Sequence, residues 1–141
     1  MSRRWCSPKP LGVAVQGAHL ARAFPGASVS LHRGLLTWNA ETVPHPGANR
    51  YALRMTYRLG KPPSVRVIDP DLSEVTEGKK VPHLFSPGEQ TLCLHYHGVW
   101  KPNMILAETI VPWAILWTEY FEWWLVTGDW AGDEVEHAGT K

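Results

Sequence analysis

At 141 residues, with 44% hydrophobic and 19% charged content, the chain is long enough for one domain, 1–141, to bury a core without disulfides or metal. Its formal net charge is +1, so bulk charge supplies no field for gripping a phosphate backbone, and nucleic acid is excluded as an expected ligand. The most apolar stretch, Thr109 to Thr118, is bracketed by Glu108 and Glu119 and is too short to span a bilayer, which excludes a helical membrane anchor there.

The opening MSRRWCSPKP carries the positive residues of a signal peptide, but the following LGVAVQGAHLARAF contains His19 and Arg22 and lacks a cleavage pattern. Only two cysteines are present, Cys6 and Cys93, and a reducing cytoplasm is the expected setting. The terminal segments 1–10 and 132–141 are polar and are expected to be flexible. From Gly12 to Phe24, Val15, Leu20, Ala21 and Phe24 fall at helical spacing until Pro25-Gly26 stops them, which predicts a first helix. Val29 to Trp38, Tyr51 to Arg58 and Ser64 to Ile68 read as three strands, with a fourth short run at Leu92 to Tyr96. The alternation is clearest where Tyr51, Leu53, Met55 and Tyr57 face Ala52, Arg54, Thr56 and Arg58. Short connections such as Gly60-Lys61-Pro62-Pro63 suit an antiparallel meander.

Asp69 to Lys80 has no strong apolar period and reads as a surface loop. Asn103 is placed to cap a long helix starting at Met104, and Pro112 is expected to kink it. Trp113, Trp117, Tyr120, Phe121 and Trp124 then recur every three or four residues, an aromatic face of the kind a helix packs on a sheet, until Gly128 ends the pattern. The expected fold class is therefore α+β, with an N-terminal helix, a meander of three to four strands, a loop carrying the chemistry and a Trp-rich C-terminal helix.

Three motifs carry a family resemblance. KPPSVRVI, Lys61 to Ile68, resembles the Lys-Pro-Pro-x-Val strand of ubiquitin-conjugating enzymes. VPHLFSPGEQTLCL, Val81 to Leu94, resembles their His-Pro-Asn segment leading to the catalytic Cys-Leu, with His83 ten residues before Cys93 as in that family. Trp100-Lys101-Pro102 is similar to the Trp-x-Pro that precedes the next helix. A narrower likeness lies in AETIVPWAILWTEYFEWWLVTGDWAG, Ala107 to Gly132, which is similar to the Trp-rich helix of the prokaryotic branch that accompanies bacterial cyclic-nucleotide antiphage signalling systems (CBASS). The chain resembles the stand-alone conjugating-enzyme-like protein of type II short CBASS systems, over roughly Leu36 to Gly132.

This resemblance implies the ubiquitin-conjugating (UBC) fold and a thioester relay without a cofactor. Cys93 would accept the C-terminus of a partner, a cGAS-like nucleotidyltransferase or a ubiquitin-like protein, and a separate activating enzyme would supply it, since the chain has no Gly-rich nucleotide loop. A thiol suits the task because some of it is thiolate at neutral pH and its thioester stays reactive toward amines. His83 would either hold the loop or take part in catalysis, with His95, His97, Trp100 and Lys101 as its surroundings. One departure stands out: Leu84-Phe85 follows His83 where the family carries its Asn. Two alternatives remain open. The first is a non-catalytic UBC-fold binding module or scaffold. The second is a zinc protein, because an extended Cys93 to His97 would point Cys93, His95 and His97 to one face and His83 would complete the set.

Overall fold

The structure, a computed structural model, describes residues 9–95 and 98–132. Cys6, His97 and, apart from residues 9, 10 and 132, the terminal segments expected to be flexible lie outside the described residues. Helix α1 (Val13–Ala23) forms where the apolar spacing predicts it and buries Gln16, Gly17 and Leu20. The stretch expected as one strand from Val29 to Trp38 is instead a hairpin of β1 (Ser28–His32) and β2 (Leu35–Thr42). Its two-residue turn places Arg33 and Gly34 at φ 50° and 79°, the pair of positive values that lets a tight turn match the twist of the strands it joins. Glycine takes that conformation without strain.

Strands β3 (Tyr51–Arg58) and β4 (Ser64–Asp69) follow the predicted bounds closely. On β3 the odd-numbered residues are buried and Arg54 and Arg58 are exposed, the signature of a strand with one face on the core. The registers Leu36 with Tyr57, Trp38 with Met55, Leu53 with Val67 and Met55 with Val65 put these side chains on that same face.

Asp69 to Lys80 is more ordered than its composition predicts. A short helix α2 (Leu72–Val75) is capped by Asp71, whose Oδ1 accepts from the Ser73 N–H at 3.0 Å, and Leu72 is fully inside. Gln90 ties the segment to the sheet: its Oε1 accepts from the Leu72 N–H at 2.7 Å and its Nε2 donates to the Val67 carbonyl at 2.8 Å. Two short strands, β5 (Leu84–Ser86) and β6 (Thr91–Leu92), complete an antiparallel sheet in the order β1-β2-β3-β4-β6-β5. The sheet thus has six strands, not three to four, because the stretch expected as one strand is the β1–β2 hairpin and β5 is too short to show a period in the sequence.

Asn103 does not cap the last helix. A 3-10 turn (Leu106–Glu108) intervenes, and α3 (Ile110–Thr127) starts with Thr109 as its N-cap. Pro112 therefore falls in the first turn, where its missing N–H has no intrahelical partner to lose, and the expected kink gives way to a helix start. Gly128, left-handed at φ 81°, ends the helix as predicted.

Ile110, Val111, Ala114, Trp117 and Phe121 of α3 join Leu20 of α1 and the sheet side chains in one buried cluster. Burying a side chain of Leu or Phe size stabilises by about 1.5–3 kcal/mol, so this face supplies most of what holds the helix on the sheet. Two polar groups buried in this packing are satisfied and set the register of the helices. Gln16, fully buried, donates to the Met104 carbonyl at 2.8 Å and accepts from the Leu106 N–H at 2.9 Å. Glu122 accepts on one oxygen from the Tyr51 hydroxyl, from the Asn49 N–H at 3.2 Å and from Asn49 Nδ2 at 2.9 Å. Among the described residues no helix is long and apolar enough to cross a membrane.

Candidate functional site

Strand β6 stops at Leu92, so Cys93 is the first residue of the loop that follows, with a half-buried side chain. His83 stands at the other end of the same corner, immediately before β5. The two meet through the main chain: the Cys93 N–H donates to the His83 carbonyl at 3.0 Å. Trp117, from the middle of α3, donates its indole N–H to that same carbonyl, also at 3.0 Å. His83 has φ 57°, a left-handed conformation that a side-chain-bearing residue rarely adopts without support. Two donors on one carbonyl provide that support and fix the loop beside Cys93.

The imidazoles rest on aromatic rings. His83 lies 4.8 Å from Trp130, centroid to centroid, with the planes tilted by 35°, and His95 lies 5.6 Å from Trp113 in the first turn of α3. Of the residues expected around the site, Trp100 is a core residue: it is 7% exposed, packs edge-on against Tyr57 at 5.4 Å and donates to Thr109 Oγ1 at 3.0 Å. Lys101 is exposed, with its main-chain N–H directed at Met104 Sδ. Where the conjugating enzymes carry their Asn, Leu84 is half-buried and Phe85 is 79% exposed. Beside them a surface groove of about 630 Å³ runs along β4 and β5, walled by Arg66, Leu72, Lys79, Lys80, Val81 and Leu84 among others. Cys93 is not in its walls.

The zinc reading includes His97, which lies outside the described residues. An extended run from Cys93 to His97 was its premise, and the strand ends one residue before Cys93. Among the described residues no three His, Cys, Asp or Glu side chains gather to hold a metal ion.

Sequence reasoning assigned Trp117 to the core face and gave Trp130 no role. The signal available for Trp130 was its position two residues past the helix-ending glycine, where an apolar residue commonly folds back on the last turns.

Burial pushes the Cys93 thiol above its ordinary range, since desolvation disfavours the thiolate. The resting protein therefore holds mostly thiol at neutral pH. Alkylation of the native protein by iodoacetamide, followed on the peptide that contains Cys93, is expected to rise with pH to a midpoint above that of an exposed thiol, about 8.5. A midpoint below that value would show a thiolate stabilised by its surroundings.

A family model described as type II CBASS E2 protein matches residues 16–138. The chain belongs to the type II CBASS E2 protein family. No curated protein matches it. The mixed helix and sheet architecture of this CBASS E2 protein agrees with the resemblance read from its motifs. Family membership ties it to a CBASS system and to a conjugating-enzyme-like role.

Proposed function

We propose that this CBASS E2 protein, acting in the cytoplasm, takes the C-terminus of a partner onto Cys93 as a thioester and passes it to an acceptor. The preferred partner is a cGAS-like nucleotidyltransferase. The observation that carries the reading is the corner in which the Cys93 N–H and the Trp117 indole share the His83 carbonyl. It holds a half-buried thiol at the start of a loop whose main chain is bonded to that of His83 and, through it, to the last helix.

In the first step Sγ of Cys93 attacks the carbonyl carbon of the partner's last residue, already activated as an acyl-adenylate or acyl-thioester by a separate enzyme. A carbon–sulfur bond forms, the bond to the activating group breaks, and the thiol proton leaves with solvent or with that group. In the second step an amine attacks the same carbon. The bond to Cys93 breaks, and the thiolate recovers a proton released by the amine. Each step builds negative charge on the carbonyl oxygen. The His83 imidazole and main-chain N–H groups of the loop supply hydrogen bonds to it, which is worth most in a site from which water is partly excluded. Holding the reactants in line contributes the rest.

Co-expression with a nucleotidyltransferase of the same system should give a species of the summed mass that collapses on adding dithiothreitol. Deleting the last few residues of the partner should remove it, and an adduct that forms equally with the truncated partner contradicts the reading.

A non-catalytic scaffold is the second reading, favoured by the raised thiol and by Leu84-Phe85 in place of the family's Asn. A native Cys93 that resists alkylation until the protein is unfolded would decide for it.

A further inference from the structure

We propose that Trp130 is a positioning residue that sets the His83 imidazole for the chemistry at Cys93, an inference that rests on reading Cys93 as the acyl acceptor. After α3 ends at Gly128 the chain turns back on the helix, and Trp130 packs against three rings at once. Its centroid lies 5.4 Å from Trp117, 5.9 Å from Tyr120 and 4.8 Å from His83. These separations fall in the range where aromatic rings attract beyond their buried area.

His83 is therefore held twice by the same end of the molecule. Trp117 takes its carbonyl, which fixes the main chain in the left-handed conformation, and Trp130 takes its ring. A fixed main chain leaves the imidazole its side-chain rotations, and packing on Trp130 narrows them toward the one orientation that hydrogen bonding to a developing oxyanion demands.

Gly132 shows how closely the returning segment is seated. A Cβ on it would lie 2.6 Å from Tyr120 Cε2 and 2.9 Å from Trp130 Nε1, closer than any side chain tolerates. Only a bare glycine lets the chain pass over these rings. By contrast, the residues that bury α3 on the sheet, Ile110 through Phe121, lie on earlier turns, and Trp130 is only half-buried.

The test compares Trp130→Ala and Trp130→Phe, alone and with His83→Ala, in two measurements. In the protein alone, the ring-proton resonances of His83 feel the ring current of Trp130, so Trp130→Ala should move them and Trp130→Phe should move them less. With the partner present, Trp130→Ala should slow adduct formation roughly 10- to 100-fold, the scale of a misplaced reacting group, and Trp130→Phe should restore most of the rate. In the His83→Ala protein, Trp130→Ala should slow the residual rate no further, because it acts through His83.

Unmoved His83 resonances, or losses that multiply in the double variant, overturn the proposal. Should Trp130→Ala not fold, Gly132→Ala carries the same test, since its methyl must displace Tyr120 or Trp130. The resonance measurement needs no partner. An adduct that survives Cys93→Ala would therefore sink the thioester reading while the Trp130–His83 contact is still judged on its own.

Discussion

Cys93→Ser is expected to replace the thiol-labile adduct with a scarcer one that survives dithiothreitol and is cleaved by mild alkali. A serine hydroxyl in place of the thiol forms an oxygen ester, which thiols do not exchange, and it forms slowly because a hydroxyl is a far weaker nucleophile at neutral pH. Cys93→Ala, with no nucleophile at all, should give no adduct. In the proposed relay the effect is complete rather than partial, because one sulfur would be the whole covalent machinery and the surrounding groups would only orient and stabilise. Gels run with and without reducing agent read both outcomes. A thiol-labile adduct of undiminished yield in either variant would place the acceptor elsewhere in the chain.

The second large effect is on stability. Glu122 is almost fully buried on α3, adjacent to Phe121, and its carboxyl oxygen collects the Tyr51 hydroxyl and two N–H groups of Asn49. Replacing it with Ala strands the Tyr51 donor in the core, and leaving buried donors of this kind unpaired costs about 2–4 kcal/mol. Glu122→Gln keeps the size and can leave its carbonyl oxygen on all three donors but removes the charge that strengthens those bonds, so a loss of about 1–2 kcal/mol is expected. Exposed Glu119→Gln should change stability by less than about 0.5 kcal/mol. Urea unfolding with an unchanged slope checks all three.

The same contact has a pH signature. Tyr51 is held above the ordinary tyrosine range, by burial first and then by its bond to Glu122 and that group's charge. A raised value means that the folded state favours the protonated hydroxyl. Its contribution is complete below about pH 10 and is lost as pH climbs beyond that. Wild-type stability should therefore fall in the alkaline direction.

How much of this was legible in the sequence depends on the range over which each feature is determined. Strand β3 was readable because burial on one face imposes a period of two on eight consecutive residues. The β1–β2 hairpin was not, since its turn is Arg33-Gly34 and lacks the Asn-Gly or Asp-Gly that usually marks positive φ at both positions. Strand β5 is three residues long, too little for any period to show, and β6, expected as a short run from Leu92, is Thr91–Leu92 and joins β5 through an irregular register. Asn103 looked like a cap because it precedes an apolar run, but the 3-10 turn bonded to Gln16 occupies that run and delays the helix.

At the site, the spacing of His83 and Cys93 in a known motif was visible. Their meeting through a carbonyl was not, nor was the arrival of Trp117 and Trp130 from 34 and 47 positions further along. Those contacts exist only once α3 is laid across the sheet. Zinc looked feasible for the converse reason: alternation along an assumed strand aligned Cys93, His95 and His97, whereas β6 ends at Leu92 and His97 lies outside the described residues.

The most direct measurement is mass spectrometry of the peptide spanning Cys93, from protein isolated with its partner and quenched in acid without reducing agent. The expected spectrum shows the partner's final residues joined through their carbonyl to the Cys93 sulfur. An unmodified Cys93 in a sample where the partner's tail is found linked to another residue of this chain would contradict it.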